Sequence, residues 1–304
     1  MKKAACVIGL GSMGFGAATS LLRAGYDVTG IDLRQDVVSE FEDVGGTALL
    51  GLDEVSGPYD VLFLFVVNQD QVETCLFGES GALNALAPNA VVICCATVSP
   101  SYAESLEIRL SANGFGMIDA PVSGGAAKAA AGQMTVMASG APQALQTVEP
   151  MFKAIASKIY KLGEQAGAGS RFKMVNQLLA GAHIVLAAEA MSLAEAVGLD
   201  RNAVYEVICE SAGTSWMFVN RVPHILEDDY SPQSAVGIWL KDLDIVLSEA
   251  ASFGAAVPMA RTALERFKSA VGMELIREDD AAVYKVYVAE RNGGRRDRET
   301  GLHS

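Results

Sequence analysis

The sequence predicts an α/β protein: an N-terminal, doubly wound, mostly parallel sheet, followed by an all-helical domain. Three observations lead there. Over the first half of the chain, short apolar runs alternate with helical patterns, as in a parallel sheet with crossover helices. Residues 61–67 and 90–96 are almost continuously apolar, as expected of strands buried on both faces. Beyond Gly163, strand-like runs become rare and patterns rich in Ala, Leu and Met take over.

Residues 4–8 read as the first strand, 13–24 as a helix stopped by Gly25, and 26–31 as the second strand. Strands follow at 61–67, 90–96, 116–119 and 134–138. Gly140-Ala141-Pro142 signals a turn and a helix start, and 158–161 reads as the last strand. One long helix is predicted over 165–197, ended by Gly198-Leu199-Asp200. Further helices are predicted at 201–211, 219–226, 234–253, 258–271 and 279–291. The domain boundary falls near residue 162. Residues 1–162 form the sheet domain, 163–291 the helical domain, and 292–304 a flexible, Gly- and Arg-containing tail.

The chain has 304 residues, enough for two domains. Hydrophobic residues make up 51% and charged residues 19%, which is ample for packed cores and excludes a disordered chain. A net charge of −13 repels phosphate backbones and argues against nucleic acid as a partner. The one basic cluster, Arg291, Arg295, Arg296 and Arg298, reads as a solvated tail. Met1-Lys2-Lys3 and the apolar residues after it have the outline of a signal peptide, but Gly9, Gly11, Gly14 and Gly16 interrupt that stretch. The five cysteines form no Cys-x-x-Cys pair and read as buried free thiols of a reducing cytoplasm. His183, His224 and His303 are isolated, so no metal site is expected. Residues 178–196 are the most apolar helical stretch. His183, Glu189 and Glu195 interrupt it, which favours a buried helix over a membrane span.

Gly9-Leu10-Gly11-Ser12-Met13-Gly14 is a Gly-x-Gly-x-x-Gly sequence that follows one predicted strand, opens a helix and precedes a second strand. The first glycine permits the tight turn, the second lets backbone approach a pyrophosphate, and the third lets helix and strand pack closely. The helix N-terminus then faces the negative charge. Asp32, 18 residues after Gly14, ends the second strand, where a carboxylate accepts hydrogen bonds from ribose hydroxyls and repels a 2′-phosphate. The expected cofactor is therefore NAD rather than NADP, with Arg34 the feature that would tolerate a phosphate. The sheet domain is expected to be a Rossmann domain.

Three further segments carry chemistry. Ser123-Gly124-Gly125 reads either as an anion site of backbone N–H groups and a hydroxyl or as an ordinary loop with a helix cap. Lys173 opens the long helix, with Asn176 and Gln177 three and four residues later on the same face. A lysine on a mostly buried helix is costly unless paired or used. Burial beside a positive nicotinamide would lower its pKa and suit it to proton transfer. The plain alternative is a snorkelling lysine at a helix end. Lys241 follows Trp239 on a predicted helix, and its plain alternative is a solvated charge pairing with Asp244. Thr97 lies just past a strand's carboxyl end, where α/β folds bind ligands, and Ser99-Pro100 beyond it reads as a helix cap and first turn.

The sequence resembles the β-hydroxyacid dehydrogenase family in four ordered segments: Gly9–Gly14 with Met13 between the last two glycines, Asp119-Ala120-Pro121-Val122-Ser123-Gly124-Gly125, residues 167–177 around Lys173, and Lys241-Asp242-Leu243. The resemblance covers roughly residues 4–290. It implies that Gly9, Leu10, Gly11, Ser12, Met13, Gly14 and Asp32 hold NAD, with Thr97 beside the nicotinamide. It implies that Ser123, Gly124 and Gly125 hold the carboxylate of a small hydroxy acid and that Lys173 is the general base and acid. Asn176 and Gln177 are implied on the substrate, and Lys241 on the cofactor and substrate. Homodimers or homotetramers are the implied assembly. Residues 68–78, without the Pro-containing loop of many relatives, resemble the branch that oxidises L-threonate. The motifs leave 3-hydroxyisobutyrate and tartronate semialdehyde open as substrates. An imine reductase is disfavoured by Lys173, and a nucleotide-binding protein without turnover by the intact set of Lys173, Asn176 and Ser123–Gly125.

Overall fold

The structure is a computed structural model, which describes residues 3–300, with the side chains of 294–300 excepted. The chain divides into two compact units, one running to Met174 and the other starting at Val175.

The first unit is built on a nine-stranded sheet. Its strands are β1 (Ala4–Ile8), β2 (Asp27–Ile31), β3 (Thr47–Leu49), β4 (Tyr59–Leu64), β5 (Leu86–Cys94), β6 (Gly116–Asp119), β7 (Val122–Ser123), β8 (Met134–Gly140) and β9 (Ala156–Gly163). Helices α1 (Gly14–Arg23), α2 (Gln35–Asp43), α3 (Gln69–Phe77), α4 (Pro100–Ala112), α5 (Gly125–Ala130) and α6 (Pro142–Ile155) connect them. The strand order is β3-β2-β1-β4-β5-β6-β8-β7, with β9 on β8. Strands β3 to β6 pair in parallel, in the doubly wound Rossmann order. The β8 strand runs antiparallel to β6 and β7 and parallel to β9.

Each face of the sheet has its own core. One gathers Val7, Leu21, Phe41, Phe63, Ile93 and Phe152, all nearly inaccessible, and the other Cys6, Leu62, Leu64, Leu76, Val92 and Leu106. Alternate residues of β1, β4 and β5 point to opposite cores, which is why those runs are apolar throughout. Helix α1 meets α5 closely: a methyl at Gly16 would lie 2.4 Å from the carbonyl carbon of Ala129.

Strand and helix positions follow the sequence reading with shifts at the ends. Strand β4 stops at Leu64 rather than residue 67: the Phe65 N–H still bonds the Ile8 carbonyl, and the chain then passes into the loop before α3. Strand β5 ends at Cys94 rather than 96. Two short strands, β3 and β7, and helices α2 and α3 add to those read from the sequence.

Helix α7 (Ala168–Ala196) runs from the end of the first unit into the second, which also holds α8 (Arg201–Cys209), α9 (Trp216–Glu227), α10 (Val236–Ser252), α11 (Pro258–Gly272) and α12 (Tyr284–Thr300). The boundary expected at 162 lies at the end of β9. The first unit extends beyond it because the first turn of α7 is hydrogen-bonded to Asp119 and Ser139 of the sheet. Helix α12 continues past residue 291 to Thr300, through part of the segment expected as a tail. Residues 301–304 lie outside the described residues, and the side chains of Arg295, Arg296 and Arg298 are likewise not described.

Helix α7 is long and apolar enough to cross a membrane, yet 56% of its most apolar window is buried within the protein, as in a core helix. It packs beside α10 at Gly181, where a methyl would lie 3.0 Å from the Trp239 ring. Trp239 in turn stacks on Phe267 of α11 at 5.6 Å. A buried ion pair supports α10: Arg221 Nε donates to Asp280 Oδ1 at 2.6 Å, and Trp239 Nε1 donates to Asp280 Oδ2 at 2.8 Å.

Candidate active site

The glycine loop sits between β1 and α1, at the point where the strand order reverses and α/β folds bind ligands. Gly9 has φ +91° and lies against β4's end; a methyl there would be 2.6 Å from the Phe65 carbonyl oxygen. At Gly14 a methyl would be 1.8 Å from the Gly9 oxygen, so the loop closes only with glycine at both positions. A methyl at Gly11 would meet nothing within 4 Å. The backbone is therefore open on that side, and with a helix N-terminus beside it the cradle fits a pyrophosphate. Leu10, Ser12 and Met13 fill the intervening positions; Leu10 is buried and Ser12 exposed.

Asp32 follows β2 directly. Its carboxylate accepts the Leu10 N–H at 3.0 Å, the Arg34 N–H at 3.1 Å and Arg34 Nε at 3.0 Å. Burial pushes this carboxyl up, but these hydrogen bonds and the guanidinium charge together hold it below the usual carboxylate range. It is an ionised acceptor tied to the glycine loop. Thr97 lies three residues beyond β5, on the same carboxyl edge of the sheet as the glycine loop.

A second cluster forms where β6, β7 and the start of α7 meet. Ser123 ends β7, paired with Thr135 of β8. Gly124 has φ +132° and Gly125 φ +74°, a pair of conformations that L side chains rarely adopt. Their left-handed backbone turns the chain from β7 into α5. Lys173 is 8% exposed, and its Nζ donates to the Val122 carbonyl at 2.8 Å, one residue before Ser123. The structure thus brings Lys173 and the Ser123–Gly125 loop together within one unit.

Asn176, Gln177 and Lys241 lie in the second unit. The Asn176 amide donates to Gln177 Oε1 at 2.9 Å, and the Gln177 amide donates to Asp242 Oδ2. Lys241 Nζ donates to Asp242 Oδ1, so the adjacent acid is one of its partners. Asp242 is 2% exposed, and this buried carboxylate accepts from Gln177 and Lys241, with Asn176 joined through Gln177.

Two acids were not singled out from the sequence as functional, although both stand inside the motif segments. Asp242 is one and Asp119 the other. Each is a charged residue in an apolar setting beside a motif residue, which was the available signal. Cys6, Cys75, Cys94, Cys95 and Cys209 are free thiols, and burial pushes Cys6 and Cys94 up to about 12. Among the described residues no group of three or more His, Cys, Asp or Glu is arranged to hold a metal ion.

A dinucleotide cradle at the sheet's switch point, an acid at the end of β2 and a buried lysine beside a glycine turn define a nicotinamide-dependent dehydrogenase. Comparison with known proteins gives the family. Residues 4–163 match the model of the NAD binding domain of 6-phosphogluconate dehydrogenase, and residues 167–287 the model for the NAD-binding of NADP-dependent 3-hydroxyisobutyrate dehydrogenase. L-threonate dehydrogenase of Cupriavidus necator is 50% identical over 92% of this chain and 95% of its own length. The Escherichia coli K12 enzyme of the same name is 41% identical, over 92% and 93%. The crystal structure of a 3-hydroxyisobutyrate dehydrogenase from Salmonella typhimurium superposes with a TM-score of 0.90 at 42% identity, covering 94% of this chain and all of the other. The chain belongs to the β-hydroxyacid dehydrogenase family, the 3-hydroxyisobutyrate dehydrogenase-like enzymes. It is an NAD-dependent oxidoreductase acting on the CH–OH group of a small hydroxy acid.

Proposed function

We propose that the protein oxidises L-threonate at C2 to 2-oxo-tetronate, with Lys173 as the proton acceptor. The observation that carries the chemistry is Lys173 Nζ, withdrawn from solvent and held 2.8 Å from the carbonyl of Val122, immediately before the Ser123–Gly125 turn. The substrate choice is supported by the identity to the Cupriavidus necator enzyme along nearly the whole chain.

Ser123 and the backbone N–H groups at Gly124 and Gly125 receive the substrate carboxylate, the Ser123 hydroxyl donating one of the hydrogen bonds. Neutral Lys173 takes the proton from the C2 hydroxyl, which becomes a ketone as the C2–H bond breaks. Bound NAD+ supplies the hydride acceptor. Lys173 leaves the step as the ammonium, and the Val122 carbonyl accepts one of its three N–H bonds. Asn176 and Gln177 contact the substrate and Lys241 serves cofactor and substrate; the Asp242 carboxylate accepts hydrogen bonds from Gln177 and Lys241. Gly9–Gly14, Asp32 and Thr97 bind the cofactor. The Asp32 carboxylate favours NAD over NADP by repelling a 2′-phosphate. The enzyme works in the cytoplasm as a homodimer or homotetramer, a setting that suits its unpaired thiols.

Turnover of Lys173→Ala with NAD+ and L-threonate tests the proton role. Loss of the positioned base is expected to lower kcat about 10²- to 10⁴-fold. A folded variant with near-wild-type kcat refutes it.

A further inference from the structure

We infer that Asp119 is a positioning residue of the reaction: its buried carboxylate caps α7 and so fixes Lys173 against the Ser123–Gly125 loop. The inference rests on the proton-transfer role proposed for Lys173.

Asp119 ends β6 and is wholly inaccessible to solvent. Its Oδ2 accepts the N–H of Gly167 at 2.9 Å and of Ser170 at 2.8 Å, two donors at the start of α7. Its Oδ1 accepts the Ser170 hydroxyl at 2.8 Å. Ser139 of β8 completes the set: its hydroxyl donates to Asp119 Oδ2 at 3.3 Å and accepts the Gly169 N–H at 2.9 Å. Three backbone N–H groups at the start of the helix, those of Gly167, Gly169 and Ser170, are thus satisfied from the sheet. A carboxylate at this end also opposes the positive pole of the helix. Burial pushes the Asp119 carboxyl above its ordinary value, and the bonds from Ser170, Gly167 and Ser139 act against that.

The cap is matched to a close approach. A methyl at Gly169 would lie 2.3 Å from the Met137 carbonyl oxygen and 2.8 Å from that of Asp119, so the helix start sits directly on sheet backbone. Lys173 follows Ser170 by three residues, less than one turn, and therefore shares its face. The helix is then touched twice by one short stretch of chain. Asp119 holds its start through a carboxylate, and Val122 holds Lys173 Nζ through a carbonyl. The next residue, Ser123, begins the proposed carboxylate site. An arrangement of this kind sets the distance between the base and the bound acid, and it does so through a buried charge that the packing of a helix onto a sheet does not by itself require.

The test is a double-mutant cycle between Asp119→Asn and Lys173→Ala, with NAD+ and L-threonate in steady state and primary amine added to raise the rate in both Lys173→Ala backgrounds. Asparagine keeps the shape and one acceptor oxygen but loses the charge and half the cap. A base displaced by about 1 Å loses on the order of 10²-fold. Asp119→Asn is therefore expected to lower kcat about 10- to 100-fold, with NAD+ Kd, read by protein fluorescence, unchanged within about twofold. In the Lys173→Ala background the same change is expected to cost less than about twofold, because nothing remains to be positioned. An equal loss in both backgrounds, or kcat retained in the single variant, overturns the inference. Where Asp119→Asn does not fold, Ser170→Ala replaces it, with an expected loss of about three- to tenfold under the same criteria. Near-wild-type turnover of Lys173→Ala alone is a different result, which removes the proton role rather than the cap.

Discussion

Asp32→Asn isolates what the charge at the end of β2 does for cofactor choice. The side chain keeps its size, so the bond from the Leu10 N–H, 3.0 Å in the native protein, survives through the remaining carbonyl oxygen. The charge is what goes. Hydrogen bonds to a charged group contribute roughly 1.5–3 kcal/mol, against about 0.5–1.5 for neutral ones, so two ribose hydroxyls lose about 2 kcal/mol between them. That weakens NAD+ by on the order of 30-fold. The opposite change is expected for NADP+. Arg34 now spends Nε and an Nη on Asp32, at 3.0 and 3.3 Å. With the carboxylate neutralised, the 56%-exposed guanidinium is released to face a 2′-phosphate, and the repulsion from Asp32 disappears. The ratio of kcat/KM for NAD+ to that for NADP+ should fall about 10²- to 10³-fold. Steady-state rates with each cofactor at saturating hydroxy acid measure it. A ratio within threefold of the native one refutes the assignment of selectivity to Asp32.

Two further perturbations address the frame. Gly16→Ala sets a methyl 2.4 Å from the backbone of α5, a clash expected to cost about 2 kcal/mol or more, which outweighs the roughly 1 kcal/mol gained in helix propensity. Chemical denaturation of this variant beside Gly272→Ala, whose methyl meets nothing within 4 Å, should show loss in the first only. Glu73 is held below its ordinary value of 4.5 by the Arg109 guanidinium, and Tyr102 adds a hydrogen bond. Because its pKa is lower folded than unfolded, its contribution is full above about pH 4.5 and is lost as pH falls through the folded value. The stability gap between native protein and Glu73→Gln, read by denaturant midpoint, should therefore be widest near neutral pH and narrow as the pH falls below about 4.5, and a gap that widens on acidification contradicts this linkage.

The sheet was legible because β1, β4 and β5 are buried on both faces and so carry unbroken apolar runs. Strand β3 has three residues, all at least partly exposed, and β7 has two, so neither leaves a pattern to read. Helices α2 and α3 were missed for a related reason: each buries only three residues, and the remaining positions are polar. Gly9, Gly11 and Gly14 were readable from their spacing together with the strand before them, the helix they open and the strand after it, and the turn admits no other residue at its two crowded positions. Lys173 was readable as an anomaly, a charge opening an apolar helix. Its hold on the Val122 carbonyl was not, since 51 residues separate the two and only the packing of α7 on the sheet joins them. Asp119 stayed hidden for the same reason, its partners lying 48 and 51 residues downstream. Asp242 sat in view beside Lys241, but spacing rules count neighbours at three and four residues and pass over adjacent ones.

The most direct test of the account is oxidation by the purified protein of L-threonate, D-erythronate, D-glycerate, 3-hydroxyisobutyrate and 3-hydroxypropionate, each with NAD+ and with NADP+, followed by absorbance of the reduced nicotinamide. The account predicts the highest kcat/KM with L-threonate and NAD+. A clear preference for another acid contradicts the proposed substrate and leaves the dehydrogenase chemistry standing, whereas no reduction of either cofactor with any of the five, and no oxidation of NADH or NADPH with the corresponding oxo acids, contradicts the central claim.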